Sequence, residues 1–201
     1  MQPPLREVEQ RFLLEVARRA IRARLSGDPA PTITDPPPRL LAIQGAFVSL
    51  HREGDLRGCI GMVDPDRPLV DTVARCAAAA ATEDPRFPPL SPGELDVLSI
   101  EISVLGPLFV VRDPSEIVLG RHGIIVTKGD RRGLLLPQVP IQQGWDLKTF
   151  LREACRKAVL DAQAWQRGAV IEAFGTQVFS EPGALSEPPP GSPPPSPSPI
   201  E

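Results

Sequence analysis

The chain has 201 residues, a formal net charge of −3 and 41% hydrophobic residues, which is typical of one globular domain or two small lobes. It contains no run of the roughly 20 apolar residues that a bilayer helix needs, and its N-terminal segment lacks the apolar core of a signal peptide. We therefore expect a cytoplasmic protein with no membrane contact. The 22 basic and 25 acidic side chains nearly balance, which argues against nucleic acid as a partner. We interpret the one arginine cluster, on the first predicted helix, as a solvated face: Arg18, Arg19, Arg22 and Arg24.

The three cysteines are widely separated and form no Cys-x-x-Cys pair. This spacing predicts neither a disulfide framework nor a zinc site, so we expect free thiols and no metal. Cys76 and Cys155 fall on the apolar stripes of predicted helices, which favours inert core positions. No nucleotide-binding glycine fingerprint occurs, and no cofactor is expected.

Apolar residues at three- and four-residue steps predict a first helix from Leu5 to Leu25, ended by Gly27. A β-hairpin is predicted next. After it, Asp66 is a good N-cap for an alanine-rich helix that ends at about Thr82. The prolines of segment 84–90 then exclude regular structure, and we expect a stiff loop.

The predicted hairpin joins two β-prone runs, residues 46–51 and 56–62. A two-residue turn at Gly54-Asp55 would pair Leu50 with Cys59. That register would send the side chain of His51 to the face opposite the thiol, whereas a shift of one residue would reverse the assignment.

The C-terminal half alternates strands with one capped helix. Residues 95–105 alternate as a half-covered strand, and residues 123–136 form a second hairpin. Asp146 caps a helix, and residues 170–179 form the last strand. Because hairpins dominate and the elements come in blocks, we predict an α+β fold whose largely antiparallel sheet is flanked by helices. The proline-rich stretch 182–201 has little to bury and is expected to be a disordered tail.

The most chemically suggestive segment is Leu56-Arg57-Gly58-Cys59-Ile60-Gly61. Gly58 and Gly61 would let backbone amides approach a bound group closely. If the segment is extended, Arg57 and Cys59 share a face, and the guanidinium would favour the thiolate. These features fit a reactive cysteine. A small buried residue in a strand tightened by glycines would produce the same pattern.

Three further residues are candidates for the same site. Arg86, held in the stiff loop, would bind a carboxylate or phosphate, or else form a structural ion pair with Asp84 or with an acidic residue on a strand. Glu101 interrupts an otherwise apolar and hydroxyl-bearing strand, and either faces solvent or pairs with an arginine in a cleft. His122 is a candidate base for Cys59, or a turn histidine.

Several segments in series resemble the AMMECR-type domain family, known in bacteria and archaea as AmmeMemoRadiSam system protein A. Their order and spacing cover roughly residues 5 to 181. The segments are Gly45-Ala46-Phe47-Val48-Ser49-Leu50, Leu56-Arg57-Gly58-Cys59-Ile60-Gly61, Asp84-Pro85-Arg86-Phe87-Pro88-Pro89-Leu90, Glu101-Ile102-Ser103-Val104-Leu105, Leu135-Leu136-Pro137-Gln138-Val139, and Trp145 ahead of the helix with Lys157-Ala158.

This resemblance implies an α+β fold with a larger and a smaller lobe and the cysteine-bearing hexapeptide at a cleft. It also implies association, by gene neighbourhood, with a Memo-like protein and a radical-SAM enzyme. It brings no established activity. On this basis residues 1–181 form an AMMECR-type domain of two lobes and one core, followed by the tail 182–201. The tail and a proline-rich insertion at 29–38 depart from the family pattern.

Two functions remain open from the sequence. In the first, the thiolate of Cys59 carries or attacks a small group while Arg57, Gly58, Gly61 and Arg86 hold an anionic substrate, with Glu101 and His122 as further catalytic candidates. In the second, the domain is a non-catalytic module that docks a partner protein or a small ligand, and Cys59 is structural.

Overall fold

The computed structural model describes residues 3–181 of the chain. The expected disordered tail at 182–201 lies outside these residues. The elements, in chain order, are α1 (Glu7–Ser26), β1 (Ala46–Arg52), β2 (Asp55–Met62), α2 (Leu69–Thr82), β3 (Leu98–Leu105), β4 (Phe109–Val110), β5 (His122–Lys128), β6 (Arg131–Leu135), α3 (Gln138–Gln142), α4 (Leu147–Lys157) and β7 (Val170–Ser180).

All strand pairs are antiparallel, and hydrogen-bonded neighbours follow the order β2-β1-β3-β7-β5-β6, with β4 paired to β7 outside this path. The predicted α+β class, with an antiparallel sheet and flanking helices, is confirmed. The described residues divide into two compact units, the first formed by 3–107 and 176–181 and the second by 108–175. Within these residues, no helix is long and apolar enough to cross a membrane.

In the first unit, α1 and α2 pack together and against one side of the sheet formed by β2, β1, β3 and the C-terminal half of β7. Alternate residues of β1 and β3, such as Val48 and Ile102, are fully buried against these helices. Because side chains alternate between the faces of a strand, the intervening residues lie on the other face. We call it the polar face; its members include Phe47, Ser49, His51, Cys59, Gly61, Ser99, Glu101 and Ser103.

The second unit is built on the β5–β6 hairpin and the N-terminal half of β7. Helix α4 lies so close to β6 that a Cβ atom at Gly133 would stand 2.4 Å from the backbone nitrogen of Ala158. Phe150 and Cys155 of α4 are completely buried in the core of this unit.

Three residues were predicted to begin or end helices, and two of them do so. Gly27 ends α1 in the left-handed conformation, with φ of 73°, and the carboxylate of Asp146 accepts a hydrogen bond of 2.8 Å from the N–H of Thr149 at the start of α4. The prediction for Asp66 was wrong, since α2 begins after Pro68. Asp66 instead accepts a hydrogen bond from its neighbour Arg67.

The predicted register of the first hairpin was also wrong. Glu53 and Gly54, with φ of 53° and 89°, form the turn, so the turn lies one residue earlier than expected. A bulge between Leu50 and His51 shifts the pairing again, and Ser49 faces Cys59. His51 therefore lies on the same face as the thiol.

The interpretation of the α1 arginines as a solvated face fails at Arg18. Its guanidinium donates to both carboxylate oxygens of Glu181, at 2.7 and 2.5 Å, and to the carbonyl oxygens of Leu95 and Leu98. Glu181 also accepts from the N–H of Ile100. These bonds join the first helix to the residue that follows the last strand.

Candidate functional site around Cys59

Cys59 is partly exposed on β2, the terminal strand in the order of the sheet. Its N–H donates to Oδ2 of Asp84 at 2.8 Å and so points away from β1. Cys59 and Ser49 are thus a non-hydrogen-bonded pair of the antiparallel ladder, the kind in which facing side chains approach most closely. The hydroxyl of Ser49 donates to the sulfur of Cys59 at 3.2 Å. The sequence did not predict this contact, because the expected register paired Cys59 with Leu50.

Asp84 organises the loop beside the thiol. Its side chain is only 3% exposed, and it accepts three hydrogen bonds from Arg86: from Nε at 3.0 Å, from Nη2 at 2.7 Å and from the backbone N–H at 3.1 Å. The side-chain hydrogen bond with Arg86 is the main reason why the pKa of Asp84 is lowered to about 2. Asp84 is therefore an ionised group that holds Arg86 and Cys59 together.

Arg86 is the cationic group in contact with Cys59. Its Nη2 donates to the carbonyl oxygen of Cys59 at 3.4 Å, and its side chain remains 57% exposed. The pKa of Arg86 is raised, chiefly by the hydrogen bond to Asp84 and to a smaller extent by the side chain of Cys59. Within residues 3–181, its Nη1 atom has no hydrogen-bond partner, so this donor is available to a bound anion.

Arg57 was expected to lie beside the sulfur, but its guanidinium bonds elsewhere. It donates to the carboxylate of Glu94 at 3.0 and 3.4 Å and to the carbonyl oxygen of Pro88 at 2.8 Å. Glu94 in turn has a lowered pKa, first because of the N–H of Ser91 and then because of Arg57. Arg57 thus joins β2 to the segment before β3.

Both glycines of the hexapeptide have a packing reason. A Cβ atom at Gly58 would stand 2.3 Å from the carbonyl oxygen of Ala80, so α2 can approach β2 only over a glycine. A Cβ atom at Gly61 would stand 2.1 Å from the ring of Phe47, which covers this position from the adjacent strand. Gly61 lies two residues after Cys59 on β2, so its N–H, like that of Cys59, points away from β1.

Cys59 begins a row of polar residues that crosses four strands of the polar face. The ladder pairs Cys59 with Ser49, Ser49 with Glu101, and Glu101 with Ser180. The carboxylate of Glu101 has no hydrogen bond or ion pair with any residue of the described chain. It therefore pairs with neither Arg57 nor Arg86.

The two histidines lie in different units. His51 is on the polar face, where its Nε2 is inaccessible and has no hydrogen-bond partner within residues 3–181. His122 belongs to the second unit, where its Nδ1 accepts a 3.2 Å hydrogen bond from the N–H of Val118 and its ring meets Phe109 edge to face. A catalytic role for His122 stays a prediction.

The other two cysteines are buried, as the sequence predicted. Burial raises the pKa of Cys76 to about 11 and also raises the pKa of Cys155, so both thiols stay protonated near neutral pH. Across the part of the chain that the structure describes, no three metal-ligating side chains converge on one point.

The AMMECR1 family model matches residues 14–179 of the chain. The chain belongs to the AMMECR1 family. One relative, from Methanopyrus kandleri, is 44% identical over 86% of this chain and 88% of its own length. Another, from Methanothermobacter thermautotrophicus, is 41% identical over 90% of this chain and 98% of its own length.

A solved AMMECR1-type structure has a similar fold. The crystal structure of an uncharacterized protein from Pyrococcus horikoshii matches with a TM-score of 0.83 and 39% sequence identity, covering 89% of this chain and 94% of the other. This likeness agrees with the fold described above.

Proposed function

We propose that this AMMECR1-family chain acts through covalent chemistry of Cys59 on a small anionic substrate held by Arg86. The observation that carries the proposal is the setting of the thiol: it is partly exposed, accepts a hydrogen bond from Ser49 and lies against a cationic side chain. A sulfur that solvent can reach, beside a cationic side chain that can bind an anion, is the arrangement that attack on a small anionic substrate requires.

In the proposed step, the sulfur of Cys59 forms a bond to an electrophilic atom of the substrate. The leaving group departs with its bonding electron pair, and the thiol proton passes to solvent or to that group. Nη1 of Arg86 and the outward N–H of Gly61 bind the acidic part of the substrate. Asp84 is a positioning residue that fixes the guanidinium.

The wider role that we propose is a component of a multi-protein modification pathway with a Memo-like protein and a radical-SAM enzyme. A cytoplasmic location is part of this proposal, because thiols remain reduced there. Support for these partners comes only from the family resemblance.

The test compares the alkylation of Cys59 by iodoacetate, an anion, with its alkylation by neutral iodoacetamide. We expect Arg86→Gln to lower the ratio of the two rates about two- to fivefold, the effect of losing one partly exposed ion pair. Because both reagents react with the same thiol of the same variant, changes in folding or in thiol ionisation affect both rates equally and leave their ratio unchanged. Arg22→Gln, at an exposed position of α1, is the matched control, and mass spectrometry of Cys59→Ser assigns the label.

Two outcomes would contradict the proposal. One is a native Cys59 that reacts at pH 7 no faster than a free thiol. The other is an Arg86→Gln variant whose rate ratio equals that of the native protein.

The second candidate is a non-catalytic binding module in which Cys59 is structural. It is favoured by the ion pair between Arg57 and Glu94 and by the packing of Gly58 and Gly61, since these contacts give the hexapeptide a structural purpose. In this case Cys59→Ser would leave binding of the Memo-like protein intact in calorimetry, whereas Arg86→Glu would weaken it. Insensitivity to Arg86→Glu would argue against the module.

A further inference from the structure

The two arginines near Cys59 are both paired with carboxylates. Arg86 bonds to Asp84, and Arg57 bonds to Glu94. Glu101 is partly buried and has no cationic partner within residues 3–181. A carboxylate that is partly withdrawn from water and unpaired gains more from a cationic ligand than a fully solvated carboxylate would.

The ladder fixes how far this carboxylate is from the thiol. Cys59 and Glu101 occupy one row, with β1 between their strands. Adjacent strands are about 4.8 Å apart, so the two backbone positions are separated by roughly 10 Å. The residue between them is Ser49, whose short side chain bonds to the sulfur of Cys59. Arg86 lies on the other side of Cys59, at the outer edge of β2.

We propose that the substrate of this site carries a cationic group, an ammonium or a guanidinium, that binds Glu101. This inference rests on the proposed function and specifies its substrate class. The substrate is a small zwitterion: its acidic group binds Arg86, its electrophilic atom meets Cys59, and its cationic end extends across Ser49 to Glu101.

The test uses bromoacetamides that carry an ammonium group on linkers of increasing length, each matched by an alcohol of the same length. In every case the sulfur of Cys59 displaces bromide and the thiol proton passes to the buffer. At the linker length that spans β1, we expect the ammonium reagent to react about two- to fivefold faster than its alcohol. Glu101→Gln removes this preference, so that the ratio of the ammonium rate to the alcohol rate falls to about one at that linker length, because its amide side chain carries no charge to attract the ammonium.

Glu53→Gln, in the exposed turn of the same hairpin, is the matched control and keeps the native preference. Equal rates for ammonium and alcohol reagents at every length would overturn this inference while leaving the thiol chemistry in place. A preference that survives Glu101→Gln would overturn it as well. If neither reagent labels Cys59, the proposed function itself fails.

Discussion

Asp84 shows how one nearly buried carboxylate can organise the loop beside Cys59. It accepts hydrogen bonds from the backbone of Cys59 and from the side chain and backbone of Arg86. A buried carboxylate is stable as an anion only when such donors surround it. Removing its charge should therefore alter both the fold and the placement of Arg86.

Asp84→Asn tests the stabilising effect of this charge. The pKa of Asp84 in the folded protein is about 2, below its ordinary value of 3.8. The ionised carboxylate therefore stabilises the fold fully at pH values above 3.8, and this stabilisation is lost as the pH falls from 3.8 toward 2. At pH 7 we expect the substitution to lower the free energy of unfolding by about 2 kcal/mol. Urea titrations at several pH values should show this difference shrinking as the pH falls from 4 to 2.

Asp130→Asn, in the turn between β5 and β6, removes the same charge from an exposed side chain and is the control. A difference between the native protein and Asp84→Asn that is the same at pH 7 and pH 2 would show that the lost charge is not the cause.

Single residues were predicted from the sequence with mixed success. Cys59 and Arg86 stood out because glycines and prolines surround them, and the structure brings them together. The contact of Ser49 with Cys59 was not predicted, because it depends on a register that differs by one residue from the expected one. The ion pair of Arg57 with Glu94 joins residues that are 37 positions apart in the sequence. It depends on tertiary packing, so the spacing of neighbouring residues did not predict it.

At the scale of elements, the hairpin of β1 and β2 shows why the strands could be predicted from the sequence and their register could not. Its strands follow from alternation and from the β-prone residues, and both were predicted. The segment Glu53-Gly54-Asp55 allows two turns, and the preference for glycine and aspartate favoured the wrong one. The choice is made by packing: Gly58 must face α2, because a side chain there would meet the carbonyl oxygen of Ala80.

Gly58→Ala should therefore be strongly destabilising. Its Cβ would approach a helix backbone oxygen, which cannot move aside as a flexible side chain can, and we expect a loss of about 1–3 kcal/mol in unfolding free energy. Gly175→Ala in β7 is the control, since nothing lies within 4 Å of its Cβ position and its φ is not positive. Thermal unfolding of the two variants compares them directly. Equal melting temperatures would contradict the close approach of α2 to β2.

At the scale of the whole molecule, the bonds of Arg18 join parts of the chain that are far apart in sequence. Arg18 and Glu181 are separated by 163 residues, and their ion pair closes the first unit around the end of β7. The helical spacing of apolar residues identified the buried and exposed faces of α1, but it did not predict the ion pair of Arg18. A half-buried arginine and an exposed arginine can occupy the same position in that spacing. The α+β class, in contrast, was predictable because it depends only on the order and type of the elements.

Replacing Arg18 with glutamine should weaken this closure. The partly buried carboxylate of Glu181 would lose its charged partner, and we expect about 1–3 kcal/mol of destabilisation together with faster hydrogen exchange at the amide of Ile100. Arg22→Gln, at an exposed position of the same helix, serves as control. Unchanged exchange at Ile100 in Arg18→Gln would contradict a stabilising role for the pair.

The loop that contains Asp84 and Arg86 also affects how the edge of the sheet meets other molecules. β2 is a terminal strand of the sheet, and the outward amide and carbonyl of such a strand offer a template for a strand from another chain. At Cys59 both groups are already bonded, the amide to Asp84 and the carbonyl to Arg86. A foreign strand would have to break both hydrogen bonds and displace the loop before it could add there, so the loop also protects the protein against edge-to-edge aggregation.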